Sequence, residues 1–441
     1  MTAAAFAVRG VIEGFYGRPW SHDQRLDMLE FMAAHGFNAY FYAPKDDPAL
    51  REDWPRPYSG RQRERLADLV RHARSRGIGF VYCLSPGLSL CYSSAADLRD
   101  LTDKLDSVAR LGVRDFALLL DDIPDFLSHA ADLAAFEDRL EAQLALLGAV
   151  WAHLSPDASL TVCPTAYWGP PDAPEWRRLG SGLDPRVDLF WTGRAVCSQT
   201  LDLDDAAAFT RAAKRPPLYW DNYPVNDAAM AGELHIGPYQ GRDRRLYRFS
   251  RGIVANAMEY PQASKLALAT VGEYLADPEG YQPEAAARRA VAELAGPVDQ
   301  AALWRLNQAC RWSCLSPGAA PETAEALERF RFGYRCGDRR AAATALAAHA
   351  AALVEAAEAL ATGPQTDLLV EARPWVEAFG LGAQALRAIA QLALAGRLDE
   401  SAEELSAHRR ALAERGRRVF GDALDAALAE LADSSRRRRS A

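Results

Sequence analysis

Along its first 280 residues the chain alternates two patterns. Short β-rich apolar runs occupy residues 7–13, 38–42, 79–84, 115–120, 159–163, 187–191, 217–220 and 253–258. Between most of them lie stretches of helical period, at 25–34, 62–76, 95–111, 133–154 and 204–214. In the first of these Leu26, Met28, Leu29, Phe31 and Met32 recur at the spacing that puts apolar side chains on one helix face. Gly36, Gly77 and Gly112 each stand between a helical pattern and the next strand, where a helix stop belongs. Strict alternation predicts an α/β fold, a parallel sheet closed as a (β/α)8 TIM barrel over residues 1–280. An open doubly wound sheet would want a G-x-G-x-x-G turn after the first strand, and Glu13-Gly14-Phe15-Tyr16-Gly17 is not one.

The pattern breaks at Asp277-Pro278-Glu279-Gly280-Tyr281-Gln282-Pro283. Beyond it Ala, Leu, Glu and Arg dominate, and 339–360, 368–394 and 400–418 have helical period, punctuated by Gly363-Pro364 and Gly396. This predicts a C-terminal α-helical bundle over 284–435, followed by a basic disordered tail at 436–441. No repeat of constant length points to a solenoid.

A length of 441 residues suits two domains. The net charge of −8 argues against a nucleic-acid partner. Seven cysteines in so long a chain argue for a reducing, cytoplasmic setting rather than a disulfide framework. Cys310 and Cys314, four apart, read as sharing a helix face without the ligands of a zinc site. Residues 1–10 lack the basic and apolar regions of a secretory leader, and no run of 18 apolar residues suggests a membrane span.

In such a barrel the working residues stand at the C-terminal ends of the strands. The fourth strand pattern, Phe116-Ala117-Leu118-Leu119-Leu120, runs straight into Asp121-Asp122. One aspartate there could simply cap the next helix. Two like charges so close should instead raise one pKa and keep a carboxyl protonated near neutrality, as glycosidic cleavage requires. Other strand ends bring Gly14 and Tyr16; Lys45 and Asp46; Tyr167 and Trp168; Thr192; Trp220, Asn222 and Asp227; and Asn256 and Glu259. Aromatic faces stack on sugar rings, while Asn, Asp and Lys pair with hydroxyls. Neighbouring residues, with Cα atoms about 3.8 Å apart, cannot easily straddle a sugar. Either Glu13, Asp227 or Glu259 is a nucleophile, or the substrate's own 2-acetamido oxygen attacks.

Val11-Ile12-Glu13-Gly14-Phe15-Tyr16-Gly17-Arg18-Pro19-Trp20, Leu120-Asp121-Asp122 and Trp220-Asp221-Asn222-Tyr223-Pro224-Val225-Asn226-Asp227 together resemble glycoside hydrolase family 84, the β-N-acetylglucosaminidases that include protein O-GlcNAcases. The likeness covers roughly residues 6–277. It implies that Asp121 orients the acetamido nitrogen and that Asp122 is general acid, then base. It further implies that Tyr167 bonds the acetamido carbonyl or oxazoline oxygen, and that Gly14, Lys45, Asn222, Asp227 and Asn256 bind sugar hydroxyls, with the acetamido side an alternative for Asn222. Trp220 would wall the acetyl pocket with Cys163 and Thr192, and Tyr16 and Val196 would lie near the rim. The short proline-rich loop Tyr167-Trp168-Gly169-Pro170-Pro171 departs from the family at the place that selects the aglycone.

The resemblance implies a retaining exo-β-N-acetylglucosaminidase acting through an oxazoline on β-linked N-acetylglucosamine glycosides, O-GlcNAc-modified peptides or proteins among them. The competing functions are a hyaluronidase-like or other glycosidase with a protein nucleophile, and a sugar-binding module without catalysis. No metal or cofactor is implied, because the eight histidines are scattered. The Ala-rich helical faces would serve as core, as a homodimer interface or as a wall of a peptide groove.

Overall fold

The computed structural model describes residues 5–439; residues 1–4 and 440–441, which include parts of the expected N-terminal segment and basic tail, lie outside the described residues. Eight parallel strands close into a barrel in the order β1 to β8. They are β1 (Val8–Ile12), β2 (Ala39–Tyr42), β3 (Gly79–Leu84), β4 (Asp115–Leu119), β5 (Ser159–Cys163), β6 (Asp188–Trp191), β7 (Leu218–Asp221) and β8 (Gly252–Asn256). Closure is made by β1 against β8, with Val8 opposite Gly252 and Ile12 opposite Asn256. The connecting helices are α1 (His22–Ala34), α2 (Gly60–Ser75), α3 (Ala95–Ala109), α4 (Ala130–Ala135), α5 (Arg139–His153), α6 (Pro174–Gly182), α7 (Leu203–Ala213) and α8 (Pro261–Ala276). Ile12, Phe41, Val81, Leu119, Phe190 and Val254 form a buried cluster with the thiols of Cys83 and Cys163. Filling the lumen with branched and aromatic side chains makes the barrel a packed core and leaves its C-terminal mouth for chemistry.

Local chemistry sets the helix ends. Ser21 and Gln24 form a reciprocal capping box on α1. Gly36, Gly77 and Gly112 have φ of +75°, +71° and +103°, a region open to glycine at little cost. The single helix expected at 133–154 is interrupted, because the Asp138 side chain accepts from the Glu141 amide and caps α5 afresh. Helix α6 has no counterpart in the sequence reading; Pro174 sits in its first turn, the one place in a helix that tolerates proline.

Beyond the barrel come α9 (Pro283–Leu294), α10 (Gln300–Ala309), α11 (Pro321–Cys336), α12 (Arg339–Thr362), α13 (Asp367–Leu394), α14 (Ala402–Arg415) and α15 (Ala423–Arg439). The chain divides into two compact units. The first comprises residues up to Asp227 with Gln240–Pro261 and Val271–Tyr281; the second comprises Ala228–Tyr239, Gln262–Thr270 and everything from Gln282. Within the second unit α12 is long and apolar enough to cross a membrane by composition, with a mean hydropathy of 1.3 in its most apolar window. It is nonetheless a core helix here, its Leu346, Ala350, Leu353 and Leu360 buried.

Three further expectations change. α14 ends at Arg415 instead of running to 418, because Gly416 adopts φ +59° and terminates it. Helix α10 ends at Ala309, so Cys310 and Cys314 do not share a helix face; the first is buried and the second half-buried. The disordered tail expected at 436–441 is helical as far as Arg439, and Arg436 bonds Asp433 and Ser406.

Candidate active site

Strand β4 delivers Asp121 and Asp122 to the mouth in two different settings. Asp121 is buried, and its Oδ2 accepts from Lys45 Nζ at 2.5 Å. Its Oδ1 is buried with no hydrogen-bond partner among the described residues. Asp122 turns outward: its φ is +53°, a conformation rare for a residue with a side chain, and its side chain is 34% exposed. It lies 3.6 Å from Lys45 Nζ. Tyr16 donates to its Oδ2 at 2.8 Å and Tyr167 to its Oδ1 at 3.2 Å.

For Asp122 the electrostatics run against the sequence expectation that repulsion keeps one carboxyl protonated. Burial pushes Asp122 up, but the Lys45 charge, the Tyr16 and Tyr167 hydroxyls and Arg51 outweigh it and hold Asp122 below the usual carboxylate range. Burial works against the Lys45 ammonium, yet Asp121, Tyr16 and Asp122 together raise its pKa above the ordinary lysine value. Tyr167 is pushed up by burial and by Asp122 and Asp121, so it stays a neutral donor.

A second group of side chains is linked around an indole. Trp220 Nε1 donates to Asn222 Oδ1 at 2.9 Å, and Asn256 Nδ2 reaches the same oxygen at 3.0 Å. The Gly14 amide donates to Asn256 Oδ1 at 3.1 Å, and Asn222 Nδ2 donates to the Val196 carbonyl at 2.8 Å. Glycine is required at 14, since a Cβ there would stand 2.7 Å from Trp220 Cζ2. Lys45 Nζ sits 5.6 Å from the Trp220 ring, which ties this group to the carboxylates. Cys163 packs with Trp220 in the buried cluster, and burial pushes its thiol well up. Thr192 is buried; its amide donates to the Tyr167 carbonyl and its hydroxyl to the Ala195 carbonyl. Asp227 accepts from the Tyr16 amide at 2.7 Å, and burial is the main cause that raises its pKa.

Two of the alternative nucleophiles, Glu13 and Glu259, already have protein partners. Glu13 is fully buried, paired with Arg25 at 2.7 and 2.8 Å and accepting from Tyr40 at 2.5 Å. Glu259 accepts from the Arg18 amide. One site residue escaped the sequence reading: Arg51, whose guanidinium donates to the Tyr16 hydroxyl at 2.7 Å. In sequence it is one charge in the polar stretch Arg51-Glu52-Asp53, indistinguishable from a solvated loop.

Fold and site together define the class, glycoside hydrolases built on a (β/α)8 barrel. Within it, residues 9–308 match the β-N-acetylglucosaminidase family, and the chain belongs to that family, glycoside hydrolase family 84. It is similar to the protein O-GlcNAcases of Rattus norvegicus and Mus musculus, each 35% identical over 271 residues. That match takes in 60% of this chain, and the chain spans only 29% of those relatives' length. A solved mutant of the Thermobaculum terrenum O-GlcNAc hydrolase is 34% identical, with a TM-score of 0.92 over 99% of this chain and 97% of that one. The structure of CpGH84B, 23% identical with a TM-score of 0.86 over 97% of this chain and 77% of that one, is alike in fold.

Proposed function

We propose that the chain is a retaining exo-β-N-acetylglucosaminidase whose nucleophile is the 2-acetamido oxygen of the substrate. The observation that carries this reading is the divided state of Asp121. Lys45 satisfies one carboxylate oxygen, and the other is buried without a protein partner. A buried charged acceptor left unpaired is costly, and the acetamido N–H is a donor that would complete it. Accepting that proton in a hydrogen bond pushes electron density onto the carbonyl oxygen, which attacks the anomeric carbon as the glycosidic bond breaks. Asp122 gives its proton to the leaving oxygen, then takes one from the water that opens the oxazoline. Because Lys45, Tyr16, Tyr167 and Arg51 hold Asp122 below the usual carboxylate range, it must take up a proton before the first step. A protein nucleophile is less well supported, with Glu13 locked against Arg25 and Tyr40.

Hydrolysis of 4-nitrophenyl β-N-acetylglucosaminide tests the activity. With unactivated alkyl aglycones Asp122→Ala should lose about 10²–10⁴-fold in kcat/KM, and with 4-nitrophenyl much less. Asp121→Ala should lose activity with both. Strong inhibition by a thiazoline mimic is expected; trapping by a 2-fluoro sugar as an enzyme ester would reject the acetamido nucleophile. For the aglycone we propose O-GlcNAc-modified peptide or protein. Tyr16, Trp168 and Val196, on the loops after β1, β5 and β6, are exposed and leave apolar surface for it. Release of the sugar from a modified peptide, compared with a free alkyl glycoside, tests that choice. The same reading includes a cytoplasmic setting, argued from an odd number of cysteines, seven, in a chain of this length, and a homodimer; cell fractionation and sedimentation velocity test these two.

A further inference from the structure

Arg51 lies on the arm that joins β2 to α2, and the arm is tied down on both sides of it. Asp47 caps the Ala49 amide at 3.0 Å. The Leu50 carbonyl accepts from the Ser85 amide at 2.9 Å. Trp54 is buried and donates to Ser89 Oγ. Lys104, reaching from α3, donates to the Ala49 carbonyl at 2.9 Å and to the Arg56 carbonyl at 2.5 Å. The guanidinium so presented makes three contacts with the acid–base apparatus. Its Nη1 donates to the Tyr16 hydroxyl at 2.7 Å, its Nη2 to the Asp122 carbonyl at 3.4 Å, and it stands 5.3 Å from the Tyr16 ring centroid. Tyr16 passes the contact on by donating to Asp122 Oδ2 at 2.8 Å.

We propose that Arg51 is a positioning residue for hydrolysis, acting on Asp122 through the Tyr16 hydroxyl. The inference rests on the acid–base role of Asp122 given above. A phenol has one proton to donate. With Arg51 donating to its oxygen, that proton is aimed at Asp122, and each bond of such a chain polarises the next. Tyr16 is 40% exposed, and without Arg51 it would be free to rotate away. A donor on Asp122 favours the carboxylate, the form that activates water, over the acid that protonates the leaving group. The other groups facing Asp122 are Lys45, Tyr167, Asp121, Asp227 and the Cys163 thiol, and all remain when Arg51 is replaced.

The test is the pH dependence of kcat/KM for the native chain, Arg51→Met, Tyr16→Phe and the double variant. Loss of either link should let Asp122 hold its proton to higher pH, moving the alkaline limb up by about half to one pH unit. The double variant should move it no further than the larger single shift. With 4-nitrophenyl β-N-acetylglucosaminide, whose good leaving group shifts the burden onto the base that opens the oxazoline, kcat should fall about 3- to 10-fold. Arg51→Lys, which keeps the cation, should recover part of the shift. An even loss across pH with the limb unmoved, or additive shifts in the double variant, overturns the proposal. If Arg51→Met does not fold, an unmoved limb in Tyr16→Phe overturns it as well. Equal losses with good and poor leaving groups in Asp122→Ala would instead reject the acid–base role of Asp122 beneath it.

Discussion

Lys45 is what allows two adjacent aspartates to end one strand. Its ammonium is buried 2.5 Å from Asp121 and 3.6 Å from Asp122, with the Tyr16 and Trp220 rings at 5.5 and 5.6 Å. Without that cation Asp121 would be a buried charge with no counterion. Lys45→Met is therefore expected to destabilise the fold by about 3–5 kcal/mol at pH 7, measured by urea unfolding. The same variant should lose most activity, because Asp121 would lose the donor that fixes its Oδ2. The aspartate pair was plain in the sequence, and Lys45 was picked out as a sugar ligand. Its role as counterion was not legible, because the pairing spans 76 positions and depends on the closure of two strand ends into one mouth. Arg51 was illegible for a related reason: nothing local separates an arginine aimed at a tyrosine from one in solvent.

At the scale of elements, the strands were readable because buried parallel strands are short apolar runs between helical periods. Boundaries failed where a side chain overrides the period, as Asp138 does by restarting α5. The arm between β2 and α2 has no period at all, yet it is the element that brings Lys45 and Arg51 to the mouth. Lys104 holds it through two carbonyls, and burial lowers the pKa of that ammonium to about 8. Lys104→Ala should orphan both carbonyls and cost about 1–3 kcal/mol. It should also open the arm to protease cleavage between residues 45 and 58, detectable by limited proteolysis and mass spectrometry. The turn after β1 makes a sharper test of packing. In Gly14→Ala the new methyl collides with the Trp220 indole, and the expected cost is about 1–3 kcal/mol. KM for the glycoside should rise more than kcat falls if that indole walls the acetyl pocket, as the family resemblance implies.

At the scale of the whole molecule, alternation was enough to predict a closed barrel and composition enough to predict a helical region after it. What sequence could not show is that Ala228–Tyr239 and Gln262–Thr270, which precede the break near 280, belong to the second compact unit. Membership is a matter of three-dimensional contact and leaves no trace in local periodicity. One such segment sets a pH dependence of stability. Glu371, in α13, accepts from the Ala263 amide at 2.9 Å, at the start of α8. Burial raises its pKa, the Ala263 and Gln262 amides and Lys265 oppose this, and Asp367 adds to it; the outcome is about 7. The folded state thus holds this proton more tightly than the unfolded chain, whose glutamate titrates near the ordinary value of 4.5. The contribution is fully present below about pH 4.5 and is lost as pH rises through about 7. A difference of that size is on the order of 3 kcal/mol. Glu371→Gln keeps an acceptor for the Ala263 amide and removes the titration. It should therefore gain stability over the native chain at pH 8 and gain little at pH 5. Chemical denaturation of both proteins at the two pH values checks the sign. A variant less stable than the native chain at pH 8 would mean that the ionised carboxylate at the start of α8 stabilises the helix more than its burial costs.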